Sequence, residues 1–367
     1  MREKKPDRFF LVIVLILISA GMAMFISASL GIFAKNKDIF YSALFSQLVL
    51  GFGLGLVGMY FSYKIDYKFW RKYSFYVFLG SAVLTALVFV PHLGWNHGGA
   101  TRWIKLGPVS FQPAELLKFG FIIYLAAWLS WAKSRVQDFK FGILPLCVMI
   151  GFIALILLKQ PDTKSLILII GTGASMLFIS GVPYKYILGT IAIAAVLFGF
   201  LVAFTPYLKD RVNTFLDPSQ DPRGTSYQLQ QSLIAIGSGG IFGRGYGQSI
   251  QKFSYLPEPQ GDSIFAVLGE ELGFIGTVAM VLLYSFFALR GMRIANNSPD
   301  LFSRLLVSGI VILITAQSFM NIASIIGVFP LTGVPLPFMS QGGTSLMIYL
   351  VATGIVLQIS KFQQQSA

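Results

Sequence analysis

Histidine and cysteine are almost missing: the 367 residues hold two of the first and one of the second. A lone Cys147 excludes a disulfide within the chain and says nothing of the redox compartment. His92 and His97 lie in a glycine-rich stretch with no third ligand at the spacing zinc needs, so both read as solvated loop residues. Charge is scarce too. Only 12% of residues are charged against 55% hydrophobic, and the mean hydropathy is +0.72. A water-soluble core cannot hide that much apolar surface, which excludes an ordinary soluble domain and makes lipid the solvent. Acids are the scarcer sign, 15 against 28 Lys and Arg, giving a net charge of +13. The excess invites nucleic acid as a partner, but no basic, aromatic-interleaved domain lies outside the apolar runs. Basic residues gathered on cytoplasmic loops explain it better. The glycine-rich stretch 236–247 lacks the lysine of a phosphate-binding loop and follows no soluble strand, which argues against a nucleotide site. A backbone-lined bed for phosphate or sugar and a plain flexible loop both stay open there. No hydropathy repeat marks the inverted halves found in many transporters.

What the chain does have is a series of apolar runs long enough to cross a bilayer as helix. They lie near 9–33, 40–61, 73–90, 116–131, 142–158, 165–181, 186–204, 264–289, 305–326 and 343–359. The expected fold is an all-α polytopic membrane protein of ten transmembrane helices, one domain over 1–367. The first run is too long for a signal-peptide core and lacks a small-residue cleavage site, so it reads as a retained span. An even number of spans puts both termini on one side. The basic clusters before the first span, at 64–72 and at 133–140 make that side cytoplasmic. Two longer connections, 91–115 and 205–261, then face outward, the second between spans seven and eight. Loops of such length are commonly functional.

An acid beside hydrocarbon needs a reason, since a charge at the helix centre costs about 2.5–3.5 kcal/mol on insertion scales. The segment Tyr255-Leu-Pro-Glu258-Pro-Gln-Gly-Asp262-Ser-Ile-Phe-Ala-Val-Leu-Gly-Glu270-Glu271-Leu-Gly273 sets Asp262 at the mouth of the eighth span. Glu270 and Glu271 follow about 12–14 Å further along, at 1.5 Å per residue. Taken alone, Asp262 reads as a helix N-cap. In the company of Glu258, Glu270 and Glu271 it points to proton chemistry. Adjacent glutamates cannot share one helix face, so at least one needs a polar partner from another helix.

Residues 102–118 lead into the fourth span, with Pro113 suited to a first turn and Glu115 within reach of Lys118 at i,i+3. Two readings stand side by side: a buried ion pair, or Lys118 and Arg102 as cations for a phosphate-bearing ligand. Asp162, in Gln160-Pro161-Asp162, lies on the same outer side and can join that cluster. Residues 227–236 fit a short amphipathic helix at the interface. Before the last span, Val334-Pro-Leu-Pro337-Phe-Met-Ser340-Gln341-Gly-Gly-Thr344-Ser345 has the prolines and glycines of a re-entrant backbone, which a bilayer permits only beside protein or water. A hairpin loop is the plainer alternative.

Together these stretches resemble the SEDS family of bacterial membrane proteins (shape, elongation, division and sporulation; FtsW/RodA/SpoVE). The matching pieces, 102–118, 160–162, 216–224, 227–247, 255–273 and 333–345, run in order along nearly the whole chain. The pairing of P-E-x-x-x-D-x-I-F-A-x-x-x-E-E-x-G with V-P-L-P-x-x-S-x-G-G-T-S is specific to that family. Residues 249–258, Ser-Ile-Gln-Lys-Phe-Ser-Tyr-Leu-Pro-Glu, are closer to FtsW-like than to RodA-like members. The chain departs where members usually carry His-Thr-Asp-Phe, having Gln260-Gly261-Asp262-Ser263, and where they carry Ser-Tyr-Gly-Gly, having Ser340-Gln341-Gly-Gly.

The resemblance implies a peptidoglycan glycosyltransferase that polymerises lipid II into β-1,4-linked glycan at the outer face of the bacterial cytoplasmic membrane. It implies septal wall synthesis in division, with elongation as the other setting. The implied partners are a class B penicillin-binding protein as transpeptidase and other division-complex membrane proteins. The implied site has Asp262 as catalytic base, and substrate contacts from Arg102, Glu115, Lys118, Asp162, Arg223, Arg244, Glu258, Ser340 and Thr344. Mg2+ or Mn2+ is the implied cofactor. A lipid II flippase and a non-catalytic scaffold for the penicillin-binding partner compete with this reading. The acids and long loops gathered on the outer face favour the enzyme.

Overall fold

The computed structural model describes residues 5–97, 100–106, 109–217 and 226–363. The helices are α1 (Arg8–Lys35), α2 (Lys37–Phe45), α3 (Leu54–Lys64), α4 (Tyr67–Lys72), α5 (Ser74–Ala86), α6 (Pro113–Ala132), α7 (Ile143–Lys159) and α8 (Thr163–Ile179). After them come α9 (Tyr184–Phe204), α10 (Pro206–Leu216), α11 (Tyr227–Ser238), α12 (Gln251–Ser254), α13 (Ile264–Asn296), α14 (Leu301–Ile325) and α15 (Gly343–Ser360). Helix lies at each of the ten apolar runs. Among the described residues six helical stretches are long and apolar enough to cross a bilayer, and three shorter apolar helices accompany them, so this is a multi-pass membrane protein. The second run is composite: a π-helical stretch, Ser46–Gly53, joins α2 to α3.

Sequence sets the ends of these helices. Asp7 caps α1 by accepting from the Phe10 N–H, and Asp300 with Ser303 forms a capping box on α14. Pro113 occupies the first turn of α6, where its missing N–H costs nothing. Burial then sorts the bundle. α6, α14 and α15 turn most of their surface inward, whereas in the composite Lys37–Lys64 stretch only 17% of the most apolar window is buried. α14 packs on α6, α8 and α13, and α15 packs along α3. The last contact is backbone against backbone: a Cβ added at Gly354 would lie 2.4 Å from the Met59 carbonyl oxygen. Small residues at such crossings let membrane helices approach closely.

α13 is broken. Gly273 takes φ 67° and ψ −163° in its middle, a conformation open essentially to glycine alone. The backbone groups released by the break are taken up by the glycine-rich stretch before it. Arg244 and Gly245 donate to the Glu270 and Glu271 carbonyls at 3.0 Å each, while Phe274 and Ile275 donate to Gly240 and Ile241 at 2.9 and 3.2 Å. A Cβ added at Gly243 would sit 2.2 Å from the Glu271 carbonyl oxygen. Gly239 and Gly243 serve this close approach, whereas Gly240, Gly245 and Gly247 take positive φ with no backbone pressed against them.

Three further expectations meet the structure. The chain is mostly helical rather than all-α: β1 (Gly94–His97), β2 (Ala100–Leu106) and β3 (Val109–Phe111) form an antiparallel sheet in order β1-β2-β3. Ala-Thr-Arg-Trp-Ile-Lys-Leu alternates and is rich in residues that suit a pleated surface, with Ile104 buried and Lys105 exposed. The described part of the connection 205–261 holds three helices, α10 and α12 beside the expected one at α11, which packs on α13. Finally, the chain from Val334 to Ser340 runs through the interior, with Phe338 and Met339 wholly buried and the Tyr284 hydroxyl donating to the Pro337 carbonyl. That is re-entrant backbone held by protein, not a surface hairpin.

Candidate active site at the head of the broken helix

Asp262 occupies the turn just before α13. It does not cap that helix. Ser263 holds the N-cap position without a side-chain bond, and the buried Asp262 Oδ1 has no hydrogen-bond partner among the described residues. The turn is fixed through its backbone instead. Asn321 of α14 donates both amide hydrogens, to the Asp262 carbonyl at 2.8 Å and to the Val334 carbonyl at 2.7 Å. The Gln341 N–H donates to the Gln260 carbonyl at 2.7 Å, and Gln228 of α11 donates to Ser263 Oγ at 3.1 Å. The turn is thus positioned chiefly through its backbone, while the Gln228 amide reaches the carboxylate and Oδ1 is left without a partner among the described residues.

Two cations converge on it. Lys164, in the first turn of α8, donates to the Gly333 carbonyl, and Arg211 of α10 donates to that of Leu331. A Cβ added at Gly333 would lie 3.3 Å from Asp262 Oδ2, 3.7 Å from Arg211 Nη2 and 3.9 Å from Lys164 Nζ. Gly333 also has φ +64°, so both its backbone and its surroundings require glycine. We expect Gly333→Ala to lower activity about tenfold or more, because a φ > 0 alanine costs about 1–2 kcal/mol and its methyl presses on the carboxylate. Steady-state rates and melting of the purified variant check this. Unchanged rates would show that the cluster tolerates crowding.

Burial pushes the Asp262 carboxyl above the ordinary carboxylate range, while Lys164, the Gln228 amide and Arg211 pull it back. The result is an ionisable oxygen of raised proton affinity with a vacant hydrogen-bond position. Gln260 Oε1, two residues before it, Asn321 Oδ1, on the residue that holds its turn, and Thr332 Oγ1, beside Gly333, are also buried without a partner among the described residues. Buried acceptors are normally satisfied, and a ligand rich in hydroxyl donors would satisfy these.

The other expected residues fall into three places. Arg102 and Asp162 belong near Asp262. Arg102 donates to the Gln160 and Pro161 carbonyls at 3.1 and 2.5 Å, tying the sheet to the α7–α8 turn. Asp162, wholly buried, caps α8 through Ser165. Lys164 feels the charges of Asp162, Arg102, Asp262 and Glu115 together.

Glu115 and Lys118 lie deeper, as a 2.8 Å ion pair with side chains 3% and 1% exposed. Lys118 also donates to Gln317 Oε1 at 2.7 Å, Gln317 to the Tyr349 hydroxyl at 2.6 Å, and Tyr349 to Glu115 Oε2 at 2.8 Å. The ring closes on itself across α6, α14 and α15.

Arg244, Ser340 and Thr344 stand elsewhere. Arg244 pairs with Glu270 at 3.4 Å beside the helix break. Ser340 Oγ accepts from the Leu336 N–H at 2.8 Å, inside its own loop. Thr344 is buried at the head of α15 with Oγ1 unpartnered among the described residues. Glu258 is exposed, with φ +46° at the start of the Asp262 turn. Arg223 lies outside the described residues.

Glu270 and Glu271 both find partners off their own helix. Glu270 accepts from Ser249 Oγ and the Ile250 and Gln251 N–H groups; Glu271 accepts from Lys252 Nζ at 2.7 Å and from Ser27 Oγ of α1 at 2.6 Å. They hold the fold rather than the reacting centre.

Sequence reading overlooked Lys164, Arg211, Gln317 and Asn321. For Lys164 a signal was present, a lysine directly at the mouth of the apolar run 165–181, since ionisable residues beside spans are functional candidates. Among the described residues no three of His, Cys, Asp and Glu come together to hold a divalent cation by themselves, and Asp262 is flanked by two cations; an ion here would need substrate oxygens beside one or two carboxylates, as Mg2+ commonly takes.

Residues 7–365 match the model of the FtsW/RodA/SpoVE family, described as cell cycle protein. The chain is 38% identical over 367 residues to the stage V sporulation protein E of Bacillus subtilis (strain 168), covering 99% of both. It is likewise 38% identical over 359 residues to the probable peptidoglycan glycosyltransferase FtsW of Geobacter sp. (strain M18), covering 98% of both. Among solved structures, a chain of a peptidoglycan synthase complex coordinating polymerization and crosslinking superposes with a TM-score of 0.79 at 27% identity, covering 98% of this chain and 99% of that one. The rod shape determining protein RodA of Thermus thermophilus superposes with a TM-score of 0.71 at 26% identity, covering 98% of both.

Proposed function

Because this chain belongs to the FtsW/RodA/SpoVE family of cell cycle proteins, we infer that it is a peptidoglycan glycosyltransferase with Asp262 as its base. The single observation that carries the assignment of the base is the Asp262 carboxylate, positioned by its backbone and left with an unpartnered oxygen among other buried acceptors. The chain crosses the bacterial cytoplasmic membrane ten times with both termini inside, so that Asp262 faces outward. Its substrate is lipid II, and it works at the division septum beside a class B penicillin-binding protein.

In the reaction Asp262 takes the proton from the 4-hydroxyl of the acceptor's N-acetylglucosamine. That oxygen forms a bond to the anomeric carbon of the donor's N-acetylmuramic acid as the bond from that carbon to the diphosphate oxygen breaks. The configuration inverts from α to β, and undecaprenyl diphosphate leaves with the bonding electrons. A positioned base contributes about 10²–10⁴-fold, and stabilising the charge on the leaving group contributes more. Arg102 and Asp162 shape the floor beside the leaving group, while the Glu115–Lys118 ring stiffens the wall behind it.

The test is direct. Purified protein with its transpeptidase partner is expected to convert lipid II into glycan polymers resolvable on a gel. Movement of lipid II between leaflets of proteoliposomes without any polymer would favour a flippase instead.

A further inference from the structure

Lys164 is built into this centre in a way its neighbours are not. Its ammonium has three donors, of which one reaches the Gly333 carbonyl. It makes no ion pair with any described carboxylate, although it stands in the combined field of Asp162, Asp262 and Glu115. It is partly exposed, whereas Lys118, the lysine the sequence favoured, is sealed in its own ring of bonds. Arg211 adds a second charge around the same glycine. A diphosphate leaving group needs positive charge near its oxygens, and no described cluster of acids is arranged to hold that charge as a metal ion.

We propose that Lys164, supported by Arg211, holds the diphosphate of the lipid-linked donor and does the neutralising work otherwise expected of a divalent cation. The proposal rests on the reading of Asp262 as the base, because it places the leaving group beside that carboxylate. Lys164 then acts on donor and product alike, so its loss appears as weakened binding of the diphosphate as well as a slower reaction.

The experiment is binding of undecaprenyl diphosphate to the full-length protein in nanodiscs, with EDTA present. Lys164→Gln keeps an N–H donor for the Gly333 carbonyl but removes the charge; Lys164→Arg keeps the charge. Wild type is expected to bind, and Asp262→Asn at least as tightly, because that change removes a negative charge beside the diphosphate. Lys164→Gln should bind about tenfold or more weakly, the worth of a charge-assisted hydrogen bond, with Lys164→Arg close to wild type. Undiminished binding by Lys164→Gln would reduce the lysine to a prop for Gly333 and overturn the proposal. So would wild-type binding that vanishes in EDTA and returns with Mg2+, an arm that needs no variant to fold. Normal polymerisation by Asp262→Asn would sink the base while leaving these binding results standing, so the two ideas fail separately.

Discussion

Asp262→Asn is expected to lower lipid II polymerisation by about 100-fold or more while leaving the fold intact. The substitution keeps the shape of the side chain and removes only its capacity to take a proton. Little structural depends on that capacity: the side chain caps no helix, Oδ1 is unpartnered among the described residues, the bond from Asn321 goes to the backbone carbonyl, and an asparagine oxygen can still accept from Gln228. Burial raises the proton affinity of Asp262, which fixes the sign of two pH effects. The rate should rise with pH along an acid limb that lies above the ordinary carboxylate range, since only the ionised form accepts the proton. The group's contribution to stability runs the other way, fully present below its unfolded pKa and lost as pH rises to the folded one. The asparagine variant should therefore melt no lower than wild type near neutral pH. A variant that polymerises at a near wild-type rate would show that Asp262 is not the base.

The second large effect is in the ring of Glu115, Lys118, Gln317 and Tyr349. Lys118→Met leaves Glu115 charged and buried with one partner lost, and breaking a buried pair on one side costs about 3–5 kcal/mol. The double variant Glu115→Gln with Lys118→Met removes both charges and keeps an acceptor for the Tyr349 hydroxyl. Neutral replacement of a buried pair is commonly tolerated, so melting and polymerisation should both recover. Thermal unfolding and lipid II turnover of the single and double variants check this side by side. A double variant that melts normally yet stays inactive would return Lys118 to the list of substrate contacts.

Much of the architecture could be read from the chain because hydropathy and i,i+3 spacing are local signals. The ten apolar runs, the α11 helix, the re-entrant 334–340 backbone and the Glu115–Lys118 pair all belong to this class. The sheet escaped because its strands are 4, 7 and 3 residues long, too short for alternation to stand out beside the apolar runs. The site was legible only in part, for a related reason. Asp262 announces itself as an acid at the mouth of a span, but Lys164 and Arg211 meet it only because the chain returns at Gly333. No spacing in the sequence encodes that meeting. The two departures from the family pattern looked independent in the sequence. In space they touch, through the Gln341 N–H and the Gln260 carbonyl, so a change on one side of that contact is felt on the other.

The break in α13 bears on how the chain is made. The described groups that donate to or pair with Glu270 and Glu271 side chains are synthesised before them: Ser27 in the first helix, then Arg244, Gly247 and residues 249–252. The half-helix that carries these acids therefore leaves the ribosome with its counterparts already in place. It can dock against protein instead of entering lipid as a charged span. The turn holding Asp262 has no such luxury, because Asn321 and Val334, which fix it, come some sixty residues or more later. During biogenesis the scaffold closes first, and the reactive carboxylate is locked only when α14 and the re-entrant segment arrive.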